Sequence, residues 1–301
     1  MNYYNEIKNK LIDNEVYKKV KDYSKNRNDL STYYEVGKLL IKAQGGEERA
    51  KYGDNLIKEY SERLFNDTGR KYNITALKRI RQFYLVVEKG VPLAHQLTWS
   101  HYCELLPLKD INEINYYIKI TIEQCLSKRQ LRERIRNKEY QRLDDKTKLK
   151  LINKEEIDIK DNIKNPIIIK NKLDIDKEIV SEKILQRLIL EDIPSFLEEL
   201  GTGYSFIRNE YKIKIGDTYN YIDLLLFNIK YNCYVVVELK VTELKKEHIG
   251  QIQIYMNYID NSLRKLTQDK TIGLIICKKD NKYVIEYSSD KRILSREYEL
   301  I

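Results

Sequence analysis

Two apolar runs in the C-terminal half of the chain each carry a carboxylate, and this restricts the fold more than any other feature of the sequence. Asp223 lies inside Tyr221-Ile222-Asp223-Leu224-Leu225-Leu226-Phe227, and Glu238 lies late in Val235-Val236-Val237-Glu238-Leu239-Lys240. Short apolar runs bounded by turns read as buried strands. A charge among such neighbours is costly unless it is paired or bound to a metal. The turn expected at 230–232 lets the two strands pair as a hairpin, so both carboxylates can converge at one end of a sheet. Glu238 and Lys240 are two apart and point to the same face.

Two carboxylates and an ammonium in one place suit magnesium or manganese, hard cations that take carboxylate, water and phosphate oxygens. Bound metal lowers the pKa of its water and neutralises charge on a phosphorane-like transition state. A lysine beside it orients the attacking water or stabilises the developing charge. That is the chemistry of phosphodiester hydrolysis. The bland reading of the same residues is an ion-paired strand edge. Gln251 and Tyr255 follow on the next helix, four apart and so on one face, which can look toward Glu238 and Lys240.

The surrounding pattern is a small mixed α/β sheet. Strands fit 204–215, 220–229, 233–239, 271–277 and 282–287, with a turn at Gly216-Asp217 and another at 279–281. Helices fit 180–200, which Pro194 kinks or splits, and 246–258. The order helix, three strands, helix, two strands predicts a sheet with helices on its faces. The first half reads as all-helical. Helices fit 30–44, with Asn28 and Asp29 as caps and Gly45-Gly46 as the stop, then 54–69, and 76–89 capped by Asn73 or Thr75. Further helices fit 98–106, 111–125 and, behind Ser127, 129–140.

Charge separates the two halves. Lys, Tyr, Asn and Ile share AT-rich codons, so total charge says little and its distribution says more. Residues 1–150 hold 31 Lys+Arg against 21 Asp+Glu, whereas residues 151–301 hold 24 against 25. A basic half points to a polyanion partner, nucleic acid before others. Two helices offer basic outer faces, at Lys78, Arg79 and Arg81 and at Arg129, Arg132, Arg134, Arg136 and Arg142. With a turn at 69–74, the first is a candidate helix-turn-helix reader. The candidate DNA contacts are Lys78, Arg79, Arg81, Arg129, Arg132 and Arg136. A helical bundle for protein contacts is the alternative.

Residues 141–195 contain no Tyr, Phe or Trp in a chain with 25 Tyr, and 144–177 is mostly Lys, Asp, Asn and Ile. This reads as a linker. The expected domains are therefore 1–143, basic and helical, and 178–301, which carries the sheet. No apolar run reaches the length of a membrane span, and the polar N-terminus is not a secretory signal. Cys103, Cys125, Cys233 and Cys277 are too scattered for a zinc site or a disulfide framework, which points to a reducing cytosol. No GxGxxG or GxxxxGK phosphate loop is present, so an ATP-driven motor is disfavoured.

The pattern Asp223…Glu238-Leu239-Lys240 resembles the motif of the PD-(D/E)xK nuclease superfamily, and Gln251…Tyr255 matches the QxxxY element of some of its families. More broadly, the chain resembles the bacterial YhcG-type family, in which an N-terminal helical domain of unknown function precedes a PD-(D/E)xK domain. The stretches that carry this are Tyr34-Glu35-Val36-Gly37-Lys38, Gln44-Gly45-Gly46, Tyr52-Gly53, Arg79-Ile80-Arg81-Gln82-Phe83-Tyr84 and Leu97-Thr98-Trp99-Ser100-His101. The second half adds Phe196-Leu197-Glu198-Glu199-Leu200-Gly201, Tyr221-Ile222-Asp223-Leu224-Leu225, Glu238-Leu239-Lys240, Gly250-Gln251 with Tyr255, and Ile272-Gly273-Leu274-Ile275.

The resemblance implies a restriction-endonuclease-like core and magnesium-dependent DNA cleavage, with DNA, branched or structured forms included, held by the N-terminal domain. By position, Asp223 and Glu238 would hold metal, Lys240 would be the catalytic lysine, and Gln251 would support the site with Tyr255. The first core helix of such folds often supplies another acid. Here Gln186 aligns with it, with Glu182 and Glu191 nearby. A chain that kept the fold but lost cleavage would be a DNA-binding adaptor instead. The expected partner list holds DNA and no membrane, and leaves open a homo-oligomer.

Overall fold

In a computed structural model the chain is described over residues 3–19, 25–46, 54–69 and 72–301. It divides into two compact units, residues 1–140 and 141–301.

Unit one is helical: α1 (Tyr3–Lys19), α2 (Lys25–Ala43), α3 (Asp54–Thr68), α4 (Ile74–Glu88), α5 (Trp99–Leu105), α6 (Ile111–Glu123) and α7 (Lys128–Arg136). Buried Leu30, Val36, Leu40, Ile57, Leu64, Leu77, Ile80 and Phe83 recur at helical spacing, so each helix hides one stripe. Tyr33, Phe83, Trp99 and Tyr102 form a ring cluster, with Tyr33–Trp99 centroids 4.7 Å apart and Phe83–Tyr102 4.8 Å apart. Asn73 caps α4 through Ala76 N (2.8 Å), and Ser127 caps α7 in a reciprocal pair with Gln130.

Two helix expectations for this unit are corrected. Helix α2 begins upstream of residue 30, and Asp29 accepts a bond from Asn14 Nδ2 (2.8 Å) instead of serving as a cap. Helix α7 stops at Arg136, short of 140, because Lys138 takes the left-handed conformation (φ 51°) and Glu139 folds back onto Arg134 at 3.0 Å. The turn expected at 69–74 lies partly outside the described residues.

Unit two is one six-stranded sheet. Its elements are α8 (Asp145–Asn153), β1 (Ile167–Ile169), α9 (Glu182–Glu191), α10 (Ile193–Leu200), β2 (Tyr204–Ile215), β3 (Thr218–Asn228), β4 (Cys233–Glu243), α11 (Lys246–Ser262), β5 (Ile272–Lys279), α12 (Lys282–Glu286) and β6 (Ile293–Leu300). The strand order is β1-β6-β5-β4-β3-β2. Strands β2, β3 and β4 pair antiparallel, as short turns dictate. The β4–β5, β5–β6 and β1–β6 pairs are parallel, with α11 crossing over between β4 and β5.

Central strands buried on both faces read as continuous apolar runs. Leu224, Leu226, Val235, Val237 and Leu274 pack on the α9–α10 side, and Leu225, Val236 and Ile275 on the α11 side with Ile252, Met256 and Ile259. Asp260, near the end of α11, accepts from Thr271 N (2.9 Å) and Thr271 Oγ1 (2.7 Å) and pairs with Arg292 (2.8 Å). These bonds hold the far end of α11 to the start of β5.

Two readings of the second half are overturned. Residues 144–177 are not a linker. They supply α8, the edge strand β1, and Ile159, Ile163, Ile167 and Ile169 to the core. Isoleucine carries most of that burial, so the lack of aromatics misleads. The last strand is 293–300 rather than 282–287, which forms the short helix α12 with Tyr283 and Tyr287 exposed. Pro194 splits the 180–200 helix in two, sitting in the first turn of α10 behind the cap Asp192.

Candidate active site

The site lies where β3 parts from β4. Their pairing ends at Leu224–Val237, so one residue further Asp223 and Glu238 face a divergence between strands. At that point Leu239 N has lost its ladder acceptor, and Asp223 Oδ2 takes its hydrogen at 2.7 Å. The Asp223 carbonyl is taken by Gln186 Nε2 of α9 (3.0 Å). The aspartate is thus fixed at both backbone and carboxylate.

Glu238 and Lys240, on the same face of β4, are bonded directly: Lys240 Nζ donates to Glu238 Oε1 at 2.9 Å. Glu182 Oε2, at the start of α9, is 3.5 Å from the same ammonium. Glu238 and Lys240 are buried, while Glu182 is half exposed. Glu238 Oε2 is buried and has no hydrogen-bond partner among the described residues.

Burial pushes the Glu238 carboxyl up to about 7, the Asp223 charge adds to this, and Lys240 opposes it. Burial likewise raises Asp223, against the Leu239 amide and Lys240. Burial works against the Lys240 ammonium, but Glu238, Glu182 and Asp223 outweigh it and hold its pKa above the usual lysine value. Perturbed groups of opposite sign gathered at a strand end are the electrostatic mark of a functional site.

Helix α11 covers one side. Gln251 Nε2 donates to Tyr255 Oη at 3.0 Å, and the Tyr255 phenol is raised by burial and by the charges of Glu238 and Asp223. His248, which in the sequence looks scattered with His95 and His101, lies on the same helix, where its Nδ1 accepts from Lys245 N at 3.2 Å. Its pKa is lowered by burial and by Lys240. Its signal was its spacing: His248, Gln251 and Tyr255 follow one another at i, i+3 and i+7 on one face.

The structure therefore gathers Asp223, Glu238, Lys240, Glu182 and Gln186, with Gln251 and Tyr255 alongside. It does not bring in Glu191, whose ion pair is with Arg187 (4.0 Å) on the same helix. Among the described residues no group of three or more His, Cys, Asp or Glu is placed to hold a metal ion.

Of the basic residues in unit one, Arg79, Arg129, Arg132 and Arg136 are exposed, and Lys78 and Arg81 are half-buried. Arg132 is held by Glu104 through two bonds (2.9 and 2.8 Å), and Lys128 reaches the same carboxylate at 3.4 Å. Burial raises the Cys103 thiol of α5, and Arg79 and Lys128 oppose this. Arg142 belongs to unit two, where it pairs with Glu199 and donates to Pro166 O (2.6 Å), a packing role. Arg134 is buried against Glu139.

A mixed sheet whose parting central strands carry Asp…Glu-x-Lys defines a nuclease of the PD-(D/E)xK class. Residues 160–301 match the YhcG PDDEXK nuclease domain, and residues 9–142 match the DUF1016 N-terminal domain. The two matches follow one another in that order and together span most of the chain. It is 26% identical over 310 residues to the Escherichia coli (strain K12) protein named "Putative nuclease YhcG", covering 90% of this chain and 83% of that one. Two solved structures are more distant, each covering 40% of this chain at a TM-score of 0.28. They are a repair endonuclease from Pyrococcus abyssi (17% identity, 47% of that chain) and an EndoMS–dsDNA2 complex (20% identity, 44% of that chain). Likeness at that level has no bearing on substrate or reaction.

Proposed function

We propose that the chain is a divalent-cation-dependent deoxyribonuclease acting at Asp223, Glu238 and Lys240, with DNA engaged by the basic helical unit. The observation that carries this reading is the buried, partnerless Glu238 Oε2 beside a second carboxylate. An oxygen left without a hydrogen-bond partner inside a protein is costly unless something else binds it. A hard cation suits this donor set, since magnesium commonly takes only one or two carboxylates and keeps water and phosphate oxygens. Asp223 and Glu238 would hold it. When bound, the metal supplies an acidified water and neutralises charge on the phosphate.

The chain's own residues do the remaining work. Asp223 is oriented by Leu239 N–H and the Gln186 bond before any ligand arrives. Lys240 is held by Glu238 and Glu182 with its third hydrogen available to a phosphate oxygen or attacking water, where an ammonium stabilises developing charge. Gln251, on the covering face of α11, supports the pocket with Tyr255. Four free thiols agree with a cytosolic setting, which belongs to the same proposal.

The test is cleavage of duplex, single-stranded and branched DNA with Mg²⁺ or Mn²⁺, with EDTA as control. Glu238→Gln and Lys240→Ala should each lower the rate by about 10²-fold or more, roughly 3 kcal/mol of transition-state stabilisation. Equal cutting by wild type and both variants would place the chemistry elsewhere. One observation favours a non-catalytic adaptor: the helix position that often supplies a further acid holds Gln186, spent on a backbone carbonyl. Wild-type protein that binds DNA and cuts none of these substrates would establish that alternative.

A further inference from the structure

The hairpin β2–β3 is longer than the sheet it joins. Strand β3 pairs with β4 only from Leu224 to Asn228, whereas it pairs with β2 from Thr218 onward. Residues 211–222 therefore form a two-stranded arm that leaves the sheet at Asp223.

One side of the arm packs down. Tyr211, Ile213, Ile215 and Ile222 join the apolar cluster on the α11 side. The other side is formed by the cross-strand pairs Lys212–Tyr221 and Lys214–Tyr219. Residues paired across an antiparallel ladder, and residues two apart along a strand, point the same way, so these four share one face. All four are exposed, Tyr219 at 57% and Tyr221 at 51%, which is unusual for large rings. Lys212 Nζ sits 3.7 Å over the Tyr219 ring. Among the described residues no carboxylate lies within ion-pair distance of Lys212 or Lys214. The arm's acids, Glu210 and Asp217, stand at its base and in its turn.

We infer that this face binds an unpaired DNA strand and leads it to the site at Asp223 and Glu238. The inference rests on the nuclease reading for what lies at the end of the track, and on the arm alone for the binding. Two cations without a carboxylate partner among the described residues match a phosphate backbone, and two exposed rings give bases surfaces to stack on. That combination of a basic track with aromatic platforms is how single strands are held without sequence preference. A duplex, with its bases already stacked, gains nothing from the tyrosines. The arm thus selects substrates with a frayed, gapped or branched strand beside the cleavage point.

The test uses the full chain in EDTA, which separates binding from cutting, and measures fluorescence anisotropy with a labelled single strand and the matching duplex. Lys212→Gln with Lys214→Gln should weaken single-strand binding at least tenfold. It should also lower the slope of log affinity against log salt by about 1.4, two phosphates at about 0.7 each. Tyr219→Ala with Tyr221→Ala should weaken single-strand binding at least tenfold with the salt slope unchanged. Tyr219→Phe with Tyr221→Phe should restore it, since the ring does the stacking. Lys265→Gln, past the far end of α11, should bind like wild type. If both double variants bind the single strand within twofold of wild type, or lose duplex affinity equally, the inference is wrong. Failure of the wild type to cut DNA would sink the nuclease reading and leave these binding results standing.

Discussion

Glu238 holds a negative charge poorly. Its carboxyl is buried, one oxygen is bonded to Lys240, the other has no hydrogen-bond partner among the described residues, and its pKa is pushed up to about 7 from an ordinary 4.5. A carboxylate raised in the folded state is bound to its proton more tightly there than in the unfolded chain. Its contribution to stability is therefore complete below about pH 4.5 and is lost as pH rises to about 7, with no further change above that. Without metal, wild-type protein should lose thermal stability across that window, and Glu238→Gln, which has no charge to bury, should lose less. Melting curves in EDTA from pH 4.5 to 8 measure this. Parallel pH profiles for the two proteins would mean that Glu238 is not the strained group. A saturating divalent cation should remove the wild-type deficit, since the cation supplies the partner that the fold withholds.

At the level of elements, two glycines invite opposite outcomes. A methyl group on Gly37 of α2 would stand 2.5 Å from the Ile80 carbonyl oxygen of α4, a backbone atom that cannot swing away. Gly37→Ala should destabilise unit one by about 1–3 kcal/mol, the usual cost of overpacking. Gly250 of α11 has nothing within 4 Å of where its Cβ would be, and Gly250→Ala should stabilise by about 0.5–1 kcal/mol through helix propensity. Chemical denaturation of the two variants checks both signs. Legibility in the sequence followed the same local logic. The runs that carry Asp223 and Glu238 were readable because apolar strands need no distant partner to show themselves, and α4 and α7 showed their caps. Strand β6 was not. Its Ser295 and Arg296 are buried, and Arg296 is affordable there only because it donates to Ile163 O (2.9 Å) and pairs with Asp144 (3.0 Å), partners far away in sequence. The role of Gln186 was hidden for the same reason: its partner is a backbone carbonyl, which has no side-chain signature.

The correction at 144–177 changes where the molecule can be cut. A fragment beginning at 178, as the linker reading would advise, loses β1, the Arg142–Glu199 pair, the Asp144 partner of Arg296 and four core isoleucines. It should be insoluble or should bind a dye for exposed apolar surface. A fragment beginning at 141 keeps all of these and should unfold in one cooperative transition. Equal behaviour of the two fragments in circular dichroism and thermal melting would mean that the edge strand adds nothing to the sheet.

The fragment from 141 then permits the last test, of how the two units divide the binding of DNA. Residues 1–140 carry 27 Lys+Arg against 19 Asp+Glu, and residues 141–301 carry 28 against 27. The exposed Arg79, Arg129, Arg132 and Arg136 lie in the first group. Affinity for a duplex comes largely from releasing counterions as phosphates are neutralised, at about 0.9 in the salt exponent per contact. A nearly neutral unit whose arm favours unpaired strands has little to offer a duplex. The full chain should bind duplex DNA at least tenfold more tightly than residues 141–301 near 0.1 M salt, with a salt slope steeper by several contacts. Replacing Arg129 and Arg136 by Gln should lower the full-chain slope by about 2 and leave the single-strand preference of the fragment untouched. A fragment that binds duplex as tightly as the full chain, on the same slope, would assign DNA engagement to the sheet and remove it from the helical unit.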